Sequence, residues 1–311
     1  MDQHVCDTRL GGMDSIESTQ QGEKYSNRPI AGALHMLSSA LVFAIMGALV
    51  KTLSQSLSIE MVVFFRNVFA LIFIIPWVCY RNPAGGIKTS KFYFHVLRSV
   101  AGLGAMYCYF YALAHMKLGE AVLLSYTTPL FIPIIAYLWI KESVPRKVIA
   151  AVIIGFAGIM LILKPGSGLF DPVAVIGLAA GILASFAMVT IRRMAPTEPP
   201  VRIVFYYTLM ATVFSCVPLL WAWQTPGTTL WWILILTGLV AVSGQLLMTK
   251  AYNLAPAAQV GPFMYAVVVF ATIMGFLFWG ESLDILSLGG AVLVCLAGIM
   301  ATLHFQKNQN P

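Results

Sequence analysis

"SYTTPLFIPIIAYLWIKES" occupies residues 125–143, and its reading decides how the rest of the chain is organised. It opens with four hydroxyls and two prolines in nine residues, continues as unbroken apolar sequence, and stops at a charged turn. Its end returns later in the chain, where "YLWIKES" (137–143) is echoed by "FLFWGES" (276–282). Sliding the chain by 139 residues also aligns Ala112 with Ala251, Tyr126 with Tyr265, Phe131 with Phe270 and Glu142 with Glu281. After one inserted residue, "AGIM" at 157–160 meets "AGIM" at 297–300. The chain therefore reads as two related halves, 29–166 and 167–305, with tails at 1–28 and 306–311.

Composition says where those halves reside. Of 311 residues, 59% are hydrophobic and 10% charged, and the mean hydropathy is +0.84. Soluble domains carry roughly 25% charged residues. The apolar segments recur at the length of about 20 residues that a bilayer asks of a helix. The alternating strands of roughly 10 residues that build a barrel are not the pattern here. The expected fold class is all-α integral membrane, with ten transmembrane helices arranged as two inverted five-helix repeats. The spans fall at about 31–50, 59–80, 92–114, 119–140, 147–164, 172–191, 201–222, 230–250, 258–279 and 285–304. Five is an odd number, so the second half crosses the membrane in the opposite sense to the first. Inverted repeats are a plan of secondary transporters, whose halves exchange conformations around a midplane site.

Charge fixes the orientation. The first 28 residues hold five of the twelve acids and no apolar core of a signal peptide, and they read as a disordered cytoplasmic tail. With that tail inside, fourteen Lys and Arg fall on the cytoplasmic face and three on the other. This bias puts both termini in the cytoplasm and the protein in the inner membrane. The net charge of +7 is thereby topology, not a nucleic-acid footprint. Cys79, Cys108, Cys216 and Cys295 lie in apolar runs and Cys6 in the tail, without metal-ligand or disulfide spacing. No cofactor or metal is expected. The expected partners are a small-molecule substrate, the lipid bilayer and, as candidate coupling ions, protons, for a monomer or homodimer.

An ordered set of segments resembles the drug/metabolite transporter superfamily and its EamA-type ten-helix members. The set comprises "FFRNVF" in the second span, "LRSVAG" opening the third, "YALAHMKLGEAVLLSYTTPLF" leading into the fourth, and "KES" closing it. "AYNLAPAAQVGPFMY" through "GES" repeats the pattern in the second half, so the likeness covers about residues 30–305. The resemblance implies a central cavity lined mainly by spans 1, 3, 4, 6, 8 and 9, and transport by alternating access. The first half looks nearest to the branch with S-adenosylmethionine and riboflavin importers; the superfamily also holds exporters of amino acids and drugs.

Two basic residues, Arg66 and Arg98, are left inside spans after the topological count. An arginine in hydrocarbon costs about 2.5–3.5 kcal/mol on insertion scales and roughly 10–17 in simulations. Arg66 aligns with Thr208 and Arg98 with Thr237, so neither charge is repeated in the other half. Arg66 is a candidate for binding a substrate carboxylate or phosphate, against a role in locking helices together. Arg98, about two turns from the cytoplasmic end, reads more simply as a snorkelling side chain. Glu120, at the outer start of span 4, is a candidate coupling carboxylate, against a solvated helix-end acid. His35 and Ser39 share one face of span 1, and His35 is a candidate for substrate contact and proton coupling, against a hydrogen bond within the helix bundle. Tyr107 and Tyr111 share a face of span 3 and Tyr109 points away. Prolines in "SYTTPLFIP" free backbone carbonyls, which places a kink and a substrate contact at Ser125 and Tyr126. Tyr265 follows Pro262 by three residues and is the repeat mate of Tyr126. Interrupted segments at matching places in two halves point to a binding site. Gln245 is a neutral polar group near the middle of span 8, placed to bond a ligand or a neighbouring helix.

The function expected is secondary-active transport of a small anionic or zwitterionic metabolite, of amino-acid or nucleoside type, through a central cavity. Buried charge that is positive rather than negative favours that substrate class over the alternative, proton-driven export of cationic or amphiphilic drugs or polyamines. An intramembrane enzyme would need clustered catalytic groups, and His35, His95 and His304 stand apart with no such spacing.

Overall fold

The computed structural model describes residues 28–81, 86–115, 124–142, 144–163 and 172–279, with scattered positions between 285 and 300. Among the described residues, nine helices of 13 residues or more run in chain order. The first half gives α1 (Pro29–Leu53), α2 (Ile59–Arg81), α3 (Phe92–His115), α4 (Thr128–Ile140) and α5 (Arg146–Leu163). The second gives α6 (Pro172–Met194), α7 (Pro200–Ser215), α8 (Thr228–Leu254) and α9 (Ala266–Trp279). Described positions from 285 to 300 are helical too, where the tenth span is expected. No strand occurs among the described residues.

Which helices touch which displays the two-fold relation between the halves. α1 packs along α8, and α6, its counterpart, packs along α3. α1 also meets α9, as α6 meets α4; α2 meets α8, as α7 meets α3; and α2 and α7 meet each other. The chain is an all-α, multi-pass membrane protein, and its packing fits two inverted repeats. Its surface is that of a bilayer protein: Ile72, Leu138, Leu277 and Phe278 face outward. Trp77 and Tyr80 at the end of α2, and Trp221 and Trp232 near the opposite face, lie where aromatic belts sit.

Two spans differ from the helices expected of them. Span 7 is broken: α7 ends at Ser215, turns follow, and a single helical turn resumes at Leu219–Ala222. Pro218 lies at this break and removes a backbone donor, whereas Pro76 stays inside an unbroken α2. Span 4 becomes regular only at Thr128, after helical residues 124–125 and a turn at 126–127. α4 alone is about 20 Å long, short of the roughly 30 Å apolar thickness of a bilayer. Its mate shows the same device. Before α9 the chain passes through a short helix, Ala257–Val260, and a 3₁₀ segment, Gly261–Tyr265. The interruption at corresponding places in both halves is thus present in the backbone, where prolines open each helix.

Candidate functional site

Among the largest fully buried side chains of the described residues is a charged one. Arg98 is 2% exposed and Arg66 4%. Arg98 does not snorkel: its guanidinium lies 3.6 Å over the ring of Tyr207 on α7 and donates to Gln245 Oε1 on α8 at 2.8 Å. Gly102, one turn along α3, leaves the space that this guanidinium fills; a Cβ there would overlap Arg98 and press on Tyr207. Arg66 donates to Asn67 Oδ1 at 2.9 Å and points Nε and Nη1 at the sulfurs of Met46 and Met106, 3.3 and 3.4 Å away. Tyr207 interacts electrostatically with both guanidiniums, so α2, α3, α7 and α8 converge on one centre. It holds two positive charges, one ring and two side-chain amides.

What the centre lacks is an anion. Among the described residues the acids are Glu60, Glu142 and Glu198, and none pairs with Arg66 or Arg98. Nε and Nη1 of Arg98, Nδ2 of Asn67 and the hydroxyl of Tyr107 are all buried without a hydrogen-bond acceptor at bonding geometry. An unpaired buried donor costs about 1–3 kcal/mol, and more when charged. Such costs gather on Arg98 and Asn67, whose unmet groups are N–H donors.

A cavity of about 30 Å³ lies alongside, walled by Met36, Ser39, Phe43, Tyr126, Met248, Met264 and neighbours. That is room for about one water, so a substrate enters only when helices part. Gly244 joins cavity to charge. Phe43 packs directly on it, Ser39 Oγ donates to its carbonyl at 2.9 Å, and the next residue is Gln245.

The residues singled out from sequence divide as follows. Arg66 and Gln245 are at the charged centre, Tyr107 packs against the apolar cluster that holds Tyr207, and Ser39 and Tyr126 wall the cavity. His35 is half-buried one turn from Ser39, its Nδ1 donating to Ala31 O at 2.7 Å. The Ser125 hydroxyl is buried without a partner. Tyr107 and Tyr111 do not share an environment: Tyr111 is 44% exposed, while Tyr109 packs inward beside Tyr107 and interacts with Tyr126. α3 is rotated so that the 107/111 face straddles the boundary between interior and surface. Tyr265 is fully buried away from the cavity wall, its hydroxyl donating to Val152 O at 3.4 Å and its ring against Gly155. Glu120 lies outside the described residues.

Two candidates escaped the sequence reading, Tyr207 by its place among ordinary apolar residues and Glu198 by its position in a loop; Arg98 was weighed there chiefly as a structural charge because it lies near the helix end. Glu198 is 2% exposed and accepts from Thr89 Oγ1 at 2.6 Å and Arg202 Nη1 at 2.9 Å, with His95 Nε2 3.5 Å away. The stretch Thr197–Glu198–Pro199 carries no periodic signal that would have marked its carboxylate.

An all-helical bundle of apolar, membrane-length helices in paired halves around a buried polar centre is the architecture of a membrane carrier rather than of a soluble binding protein. The chain belongs to the EamA-like transporter family of the drug/metabolite transporter superfamily, whose model matches it twice, at residues 30–164 and 172–303. It is similar to the pseudopaline exporter CntI of Pseudomonas aeruginosa, 32% identical over 86% of this chain and 95% of that protein. The riboflavin transporter of Vibrio cholerae is 27% identical over 91% of this chain and 97% of its own length. The S-adenosylmethionine uptake transporter of Rickettsia bellii is 29% identical over 79% and 84%. A solved crystal structure shares the fold, with a TM-score of 0.78 over 88% of this chain and 97% of the other, at 17% identity. This protein is accordingly a multi-pass membrane transporter of small molecules.

Proposed function

We propose that the protein carries a small anionic or zwitterionic metabolite across the inner membrane by alternating access. The substrate's carboxylate or phosphate docks between Arg66 and Arg98, and its remainder occupies the space bounded by Phe43, Tyr126 and Met248. The observation that carries this reading is the pair of buried arginines, Arg98 with unmet donors, with which none of the described carboxylates pairs. The relatives' names support a metabolite as cargo, but they differ in compound and in direction, export for one and uptake for another. Direction and compound therefore rest on experiment. In this reading the halves, 29–166 and 167–305, are the moving bodies, with both termini in the cytoplasm. Ser125, Tyr265, His35 and Glu120 are second candidates, Tyr265 as a support for the cavity rather than a wall of it.

The rival, a cation exporter, would use the aromatic walls and gain nothing from two buried cations. A thermal-shift screen of the purified protein against carboxylates, phosphates and organic cations separates them. Anionic compounds should stabilise the wild type and fail to stabilise Arg66→Ala or Arg98→Ala. Removing an uncompensated buried charge should leave the ligand-free melting temperature unchanged or raised. Hits confined to cations, or stabilisation by anions that survives both substitutions, would overturn the assignment.

A further inference from the structure

Each of the two buried arginines holds a carboxamide by its oxygen. On α2, Arg66 Nη1 donates to Asn67 Oδ1 at 2.9 Å; between α3 and α8, Arg98 Nη2 donates to Gln245 Oε1 at 2.8 Å. A guanidinium offers only N–H groups, so it fixes how a carboxamide is turned: the oxygen faces the arginine and the amide nitrogen points elsewhere. Asn67 Nδ2 is buried and meets no acceptor. Gln245 Nε2 makes no hydrogen bond among the described residues. Of the four side chains Gln245 is the most accessible, at 8%, so its nitrogen is the donor nearest to open space.

This pairing changes the chemical character of the amides. A free carboxamide can be read either way, through its oxygen or through its two N–H hydrogens; once an arginine has taken the oxygen, the donors are what remain. Arg98 Nε and Nη1 add further unmet donors. The other groups around the guanidiniums are poor acceptors for a ligand's proton. Met46 and Met106 bring thioether sulfurs, which already face Arg66, and Tyr207 gives Arg98 the face of its ring. Glu60, Glu142 and Glu198 pair with neither arginine. The two arginine–amide couples therefore present N–H groups alone.

We propose that Asn67 and Gln245 are specificity-determining residues: with their arginines they select a fully ionised, acceptor-only group and reject one that carries a proton at the contact. This rests on the anion-site reading above and narrows it. A carboxylate, a sulfate-type group or a phosphodiester fits, whereas a hydrogen phosphate or an ammonium-bearing head sets its own donor against those of the protein. The ligand's hydrogen and one N–H then face each other with no acceptor between them. An unpaired polar group left in a buried site is what separates close analogues strongly. The amides also have to be neutral. As Asp or Glu they would cancel the charge that draws the anion in, and as apolar residues they would leave each guanidinium with one more unmet donor.

Sulfate and hydrogen phosphate are the probes, because in mildly alkaline buffer both are tetrahedral dianions of similar size and only phosphate carries a proton. Unfolding temperatures of the purified full-length protein, titrated with each salt at constant ionic strength, give the two affinities. The wild type should bind sulfate about 10- to 100-fold more tightly than hydrogen phosphate, the discrimination expected of one unmatched buried donor. Gln245→Glu keeps the shape of the side chain, pairs with Arg98 through one oxygen and makes the other an acceptor. It should weaken sulfate and bring the ratio of affinities down to about one or below, and Asn67→Asp should move the ratio the same way. A substitution that only loosened the packing would weaken both anions together and leave their ratio where it was. Equal affinity for the two anions in the wild type, a preference for phosphate, or a ratio unchanged in both variants overturns the selection by the amides and leaves the anion site standing. Stabilisation by neither anion strikes the anion site, and this selection with it.

Discussion

Where α2 carries Arg66, α7 carries Thr208, and where α3 carries Arg98, α8 carries Thr237. The two halves pack by the same rules, helix for helix, yet their matching positions behave differently. Thr208 Oγ1 bonds back to Val204 O at 3.0 Å, and Thr237 Oγ1 to Ile233 O at 2.7 Å, each satisfied within its own helix. Arg98 reaches across to the second half, to Gln245 and the ring of Tyr207, whereas Arg66 donates to Asn67 beside it. The second half thus answers the first with an amide and a ring rather than with another charge. The halves share a backbone plan and differ at a few buried side chains, which is where the proposed substrate site lies.

The sharpest way to break this comparison is at Arg98. Arg98→Ala removes a charged hydrogen bond to Gln245, and charge-assisted contacts are worth about 1.5–3 kcal/mol. Counterflow of a bound metabolite in proteoliposomes should fall about 10- to 100-fold. Transport at the wild-type rate by a folded Arg98→Ala protein would make the arginine a packing element like its threonine mate.

The tyrosine pair tests the same asymmetry in a different currency, stability against affinity. Tyr265 fills the groove over Gly155, so Tyr265→Ala should destabilise by about 3–5 kcal/mol, the range for large aromatic truncations in a packed core. Tyr126→Ala should leave the melting temperature closer to wild type and weaken ligand-induced stabilisation. If the two variants exchange these phenotypes, the cavity wall has been assigned to the wrong half.

The backbone plan was legible because hydropathy and repeat spacing are many-residue signals. Ten apolar segments, a recurring "ES" turn and prolines at matching places survive any single substitution. Side-chain geometry was less so. Arg66 stood out as a charge in hydrocarbon, whereas Arg98 looked like a residue near a helix end until its guanidinium was seen over Tyr207. Helical phase decided the tyrosines of α3: residues four apart share a face, but sequence does not say whether that face is buried along its whole length. Glu142 was read as part of a turn motif, since its partners, Arg192 and the Ala257 N–H, lie 50 residues and more away in sequence.

A glycine probes the interruption before α4. Gly181 on α6 lies against Thr127 and the carbonyl of Leu124, and its own carbonyl accepts from Ser185 Oγ at 2.7 Å. Gly181→Ala would push α6 from the turn at 126–127, an overpacking that costs about 1–3 kcal/mol. Thermal unfolding of the purified variant should show that loss, together with reduced ligand stabilisation through displaced Tyr126.

The smallest expected effect is the control on which the comparison stands. Thr208→Val and Thr237→Val keep side-chain volume and delete only a hydroxyl that is already bonded to its own helix. Polar contacts of this kind within membranes average about 0.6 kcal/mol, so each variant should lose less than about 1 kcal/mol and transport normally. Thr237 deserves the closer look, because its helix also carries Gln245 two turns on and its neighbour Gly238 is pressed against Phe69 of α2. If Thr237→Val impaired transport as severely as Arg98→Ala, the hydroxyl would have to leave its carbonyl and reach the substrate during the cycle. The two halves would then be chemically matched in a conformation other than this one, and the asymmetry would belong to a single state of the carrier rather than to the protein.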